Sequence, residues 1–130
     1  MKSTKKTAKR QVKPDSLGAD RLRYFEERLP AMVETIRALV EIESPSDNKA
    51  AADRMGAFLS GIFEELGGKA RLHRTGDYGD HLQIDFAGND GLKPVLLLGH
   101  FDTVYPLGTL ATMPFRTVGN RLHGPGVLDM

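Results

Sequence analysis

The sequence predicts an α/β protein, with helices layered on a mixed, largely buried sheet. Three observations predict it. Apolar residues recur at helical spacing as far as Val40 and again from Met55 to Leu66. The period then falls to two over "HLQIDFAG". Finally, "VLLLGH" is a continuous apolar run of the kind found in a strand covered on both faces. Helices followed by strands, one of them doubly buried, give a layered domain.

A chain of 130 residues is about one domain, able to bury a modest core. Residues 1–15 read as a disordered tail, and 16–130 as the folded part. Six of the eighteen Lys and Arg stand in "MKSTKKTAKRQVKP", leaving twelve against seventeen acids in the rest. The tail is a solvated arm or a surface for nucleic acid. The nearly balanced whole suggests neither a nucleic-acid nor a membrane partner.

Cysteine is absent, which excludes disulfides and thiolate chemistry, so a metal would have to sit on His, Asp and Glu. No apolar run reaches the ~20 residues of a membrane span. The basic start lacks the apolar stretch of a secretory signal. A cytoplasmic location is expected.

Element by element, Leu22, Phe25, Leu29, Val33, Ile36 and Val40 line one helical face. Pro30 predicts a break near Leu29, with a second helix running to about Glu43. "ESPSDN" is a loop in which Ser46 or Asp47 would cap the next helix. Met55, Phe58, Leu59, Ile62, Phe63 and Leu66 share that helix's apolar face, and Gly67-Gly68 ends it. "ARLHRT" and "HLQIDFAG" follow as strands, then the "NDGLKP" turn, then the buried run. "FRTVGNRLHG" is a hairpin turning at Gly119-Asn120.

The buried run ends in "GHFDTV". Side chains two apart in a strand face the same side, so His100 and Asp102 do. The carboxyl end of such a strand is where open α/β sheets place ligands. An imidazole can bind zinc through one nitrogen while a carboxylate near the other fixes its tautomer. The same spacing also serves a polar strand end with a local hydrogen bond. Further on, "RLHGPGVLDM" puts Asp129 after a glycine-rich turn that could aim a carboxylate into a cleft. A turn or cap aspartate is the plainer use of that position. His73, His81 and His123 lack ligand spacing and read as ordinary surface or core residues.

Together, "VLLLGHFDTVYPLGTL" and "MPFRTVGNRLHGPGVLDM" resemble the amino-terminal metal-binding segment of the dizinc metallopeptidases and amidohydrolases. That family takes in glutamate carboxypeptidase, aminoacylase, acetylornithine deacetylase and succinyl-diaminopimelate desuccinylase. The similarity is greatest to the glutamate carboxypeptidase branch and runs from about Leu22 to Met130.

The resemblance implies two zincs per site, with His100 a ligand of one, Asp129 the carboxylate bridging both, and Asp102 the active-site acid orienting His100. It also implies a cis peptide after Asp129. A small peptide or N-acyl amino acid would be the substrate, and a lid domain would often make a homodimer. The family's general-base Glu, its remaining ligands and its lid follow the bridging aspartate, and no motif here matches them. This chain is therefore expected to be an amino-terminal part of such an enzyme, inactive alone because three protein ligands usually hold a catalytic zinc. The alternatives are a non-catalytic truncated product and a module binding nucleic acid through the tail.

Overall fold

The computed structural model describes residues 16–89 and 91–128. The basic tail and Asp129 lie outside them. The chain divides at Val33/Glu34 into two compact units. The first contains the start of helix α1, which runs unbroken from Ser16 to Val40. The expected break at Pro30 is absent, because proline removes one backbone donor and the flanking turns carry the helix through. Leu22, Phe25 and Leu29 are exposed on it.

In the second unit, α2 (Lys49–Glu65) packs against a hairpin of β1 (Lys69–His73) and β2 (His81–Asp85). The cap of α2 is Asn48, whose side chain accepts from Ala51 N at 3.0 Å, not Ser46 or Asp47. Gly67-Gly68 ends the helix as expected, with Gly68 N donating to Phe63 O. β1 and β2 are antiparallel, with Leu72 opposite Leu82. A second hairpin joins β3 (Arg116–Val118) to β4 (Arg121–His123) through Gly119-Asn120.

The small core centres on Val40, Ala51, Ala52 and Met55. Phe58, Leu59, Ile62 and Phe63 of the expected apolar face are half-buried, and Leu66 is exposed. At Gly79 the hairpin loop presses so closely on α2 that an added Cβ would lie 2.5 Å from the Ala52 Cβ.

Between the hairpin and α2, Asp80 is buried at 3% exposure. Its carboxylate pairs with Lys49 Nζ at 2.5 Å and Arg74 at 2.6 Å, and accepts from Thr75 N at 3.1 Å. Asp80 N donates to Asp53 Oδ1 at 2.7 Å, so one residue ties loop, hairpin and helix together.

The class is α/β, but the expected mixed, largely buried sheet is not present among the described residues. There are two separate two-stranded antiparallel sheets instead. The run "VLLL" is not a strand: Val95, Leu96, Leu97 and Leu98 are 85%, 84%, 90% and 88% exposed. A strand needs a neighbour for its backbone groups, and no described strand pairs with it.

Burying one such side chain contributes ~1.5–3 kcal/mol, so four exposed together make a strong drive to association. The isolated chain is therefore expected to self-associate as its concentration rises. Leu96→Lys with Leu98→Lys should shift sedimentation toward monomer. An unchanged association would mean that another surface drives it.

Candidate half of a metal centre

The sequence "EIESPSD" leaves α1 and makes the loop that positions the candidate site. Pro45 forms an isolated parallel bridge to Thr103. Thr103 N donates to Ser44 O at 2.8 Å, and Ser46 N donates to Thr103 O at 3.0 Å. Ser44, itself buried, donates its hydroxyl to Phe101 O at 2.8 Å. These bonds hold the "HFDT" backbone where a sheet neighbour was expected. The Phe101 ring seats on α2, 3.4 Å from where a Cβ on Gly56 would stand.

His100 and Asp102 meet, as their spacing allows. His100 Nδ1 lies 3.1 Å from the Asp102 carbonyl oxygen and 3.4 Å from its carboxylate Oδ1. Both oxygens can only accept, so Nδ1 carries the proton in the neutral ring and Nε2 is its basic nitrogen. Both side chains are about half exposed.

The other carboxylate oxygen, Oδ2, accepts from Ser46 Oγ at 2.5 Å. That bond, more than the nearby imidazole, holds the Asp102 carboxyl below its ordinary range, against some opposing burial. Asp102 is thus ionised at neutral pH.

The loop after the motif is fixed by Glu43. Its carboxylate accepts from Gly108 N at 2.8 Å and Leu110 N at 3.0 Å, spanning a 3-10 turn at Thr109–Ala111. Those backbone bonds hold the Glu43 carboxyl below its ordinary value.

The glycine-rich turn comes up against the same motif. Gly126 has φ +70°, and a Cβ there would lie 2.9 Å from Thr103 Cγ2. A shallow, open depression lies here, lined by Val104, Tyr105, Gly124, Gly126, Val127 and Leu128. The two motifs thus approach each other as far as Leu128. Asp129 and the peptide bond after it lie outside the described residues.

Among the described residues no group of three His, Asp or Glu side chains could hold a metal. The donor chemistry of the described residues fits one imidazole ligand and its acidic support. His73 bonds Gln83 Oε1 through Nε2 at 2.9 Å across the first hairpin, consistent with an ordinary structural role. His81 and His123 sit in β2 and β4.

From the sequence, Glu43 is only a helix end, Ser44 an unassigned loop residue and Ser46 a candidate cap. Their signal is there: "ESPS" sets three polar side chains around a proline, a composition typical of a loop with local and long-range hydrogen bonds.

No family model matches the chain. Two curated proteins do. Carboxypeptidase G2 of Pseudomonas sp. (strain RS-16) is 34% identical over 102 residues, covering 77% of this chain and 24% of that protein. Acetylornithine deacetylase of Salmonella arizonae is 30% identical over 109 residues, covering 78% of this chain and 28% of that protein. The chain thus spans about a quarter of the length of the curated relatives it matches.

Proposed function

We propose, from its similarity to these two relatives, that the chain is part of a metallopeptidase and amidohydrolase of their family and supplies the His100–Asp102 part of a zinc-dependent hydrolase. The parent reaction would be cleavage of an amide or peptide bond next to a free carboxylate, as for a C-terminal glutamate or an N-acyl amino acid. The observation that supports this is the ring orientation. Nδ1 is turned to the Asp102 carbonyl and carboxylate, so Nε2 is the nitrogen that would hold the metal.

In this reading Asp102 orients His100 and stays ionised, and Asp129 would be the bridging carboxylate. Bound zinc polarises a carbonyl and acidifies water. A general base and further ligands would have to complete the site. The 130 residues by themselves are read as a metal-holding half-site without turnover.

The test uses the zinc-loaded product of the whole open reading frame carrying this sequence. It is assayed against amides ending in glutamate and against N-acetylornithine. Cleavage next to a free carboxylate, falling by roughly 100-fold or more in His100→Ala, is the expected result. Zinc held at His100 without cleavage would favour the non-catalytic product instead. A protein that takes up no zinc would contradict both.

A further inference from the structure

We propose that Ser46 is a positioning residue for the His100–Asp102 pair: its hydroxyl locks the Asp102 carboxylate and through it the His100 tautomer. The inference rests on the reading of His100 as a metal ligand only for its purpose. The geometry stands without any metal.

Ser46 Oγ carries one hydrogen and has two acceptors in reach: Asp102 Oδ2 at 2.5 Å and Thr103 O at 3.2 Å. The shorter, charge-assisted contact takes the proton. It engages the Oδ2 face of the carboxylate and leaves Oδ1 toward His100 Nδ1, 3.4 Å away. An aspartate has two soft torsions, and a half-exposed carboxylate with one long contact would turn to water. The hydroxyl removes that freedom.

The brace is itself tied by backbone hydrogen bonds on both sides of Pro45. Ser46 N donates to Thr103 O, Thr103 N donates to Ser44 O, and Pro45 lies between them. The serine is thus fixed to the backbone of the motif it serves, fifty-six residues away in sequence. An N-cap role is excluded, since Asn48 caps α2.

The consequence is a chain of three groups. Ser46 holds Asp102, and Asp102 keeps the His100 proton on Nδ1. With both acceptors of Nδ1 in place, the Nε2 lone pair points away from the brace. Without the hydroxyl, Asp102 turns and one of the two acceptors that favour the proton on Nδ1 is lost. The share of the Nε2–H ring then rises.

The test is long-range 1H–15N NMR of the metal-free chain at a pH of about 8, where an unperturbed imidazole is neutral. In the wild type, His100 is expected as the Nδ1–H tautomer, with Nε2 at an unprotonated shift. Ser46→Val should move both ring nitrogens toward averaged values. Ser46→Thr, of nearly the same shape but bearing a hydroxyl, should restore the wild-type spectrum.

Equal tautomer populations in folded Ser46→Val and Ser46→Thr would overturn the proposal. So would a wild-type ring protonated mainly on Nε2, a result that stands even if the valine variant does not fold. Zinc plays no part in these readouts. A wild type that keeps the tautomer, while the product of the whole open reading frame takes up no zinc, refutes the hydrolase reading and leaves the Ser46 assignment intact.

Discussion

Asp80→Asn is expected to lower the melting temperature by roughly 10 °C at neutral pH, and to flatten the acid unfolding of the chain. The reason is local. Asp80 is buried between Lys49, Arg74 and the Thr75 amide, and its own amide is tied to Asp53. Asparagine keeps the shape but leaves two cations facing a neutral group, one of whose atoms is now a donor. The cost lies at the buried position itself: two charge-assisted bonds are lost and a buried amide is left with a donor facing two cations, whereas Lys49 and Arg74 keep side-chain exposures of 33% and 77%.

The pH dependence follows from the same contacts. The Lys49 ammonium, then the Thr75 amide and Arg74, hold the Asp80 carboxyl down to about 2, from an ordinary value of 3.8. A depressed carboxyl contributes stability that is complete above its unfolded value and lost as pH falls through its folded one. The wild type should therefore lose this contribution between 3.8 and about 2. The asparagine variant cannot titrate there, and its curve should be flatter in that window.

Lys49 is raised by the same pairing, chiefly by its bond to Asp80. Its contribution is complete below its ordinary 10.5 and is lost at more alkaline pH. Circular dichroism melts across acid and alkaline pH check both points. Asp85→Asn is the control, since Asp85 pairs with Arg71 in an exposed bridge. An Asp80 variant no weaker than that control would show that the buried network is not what holds hairpin to helix.

Much of the local structure was legible because it depends on nearest neighbours. "HLQIDFAG" alternates, and β2 forms over His81–Asp85. Gly67-Gly68 stops α2, and Gly119-Asn120 turns the second hairpin. What failed depends on partners distant in sequence. "VLLL" has the composition of a buried strand, yet composition cannot supply the neighbour that would cover it. Pro30 weakens a helix without ending it, because one lost bond is set against many on either side.

The candidate site divides the same way. His100 and Asp102 were singled out through strand spacing, yet no strand forms over them, and their contact is a local one between residues two apart. Ser46 was assigned to the wrong partner, because serine in a loop before a helix ordinarily caps it. Its true acceptor is fifty-six residues away. Glu43 reaching Gly108 and Leu110 is a contact of the same kind, invisible without the fold.

The second large effect concerns the metal. His100→Ala should abolish zinc binding to the chain, while Asp102→Asn should weaken it by about 10–100-fold. The difference reflects role: alanine removes the donor nitrogen, whereas asparagine disturbs only the tautomer and basicity of a ligand that is still present. Binding to the wild type is expected to be weak, because the two proposed donors, His100 and Asp129, would make an incomplete set.

The most direct measurement is a zinc titration of the 13C,15N-labelled chain, following its four imidazole rings and the Asp129 carboxyl carbon by NMR. The account predicts that His100 Nε2 and the Asp129 carboxyl shift together and saturate. His73, His81 and His123 should stay in place. Zinc that moves only those three histidines, or none of the four at millimolar excess, would contradict it.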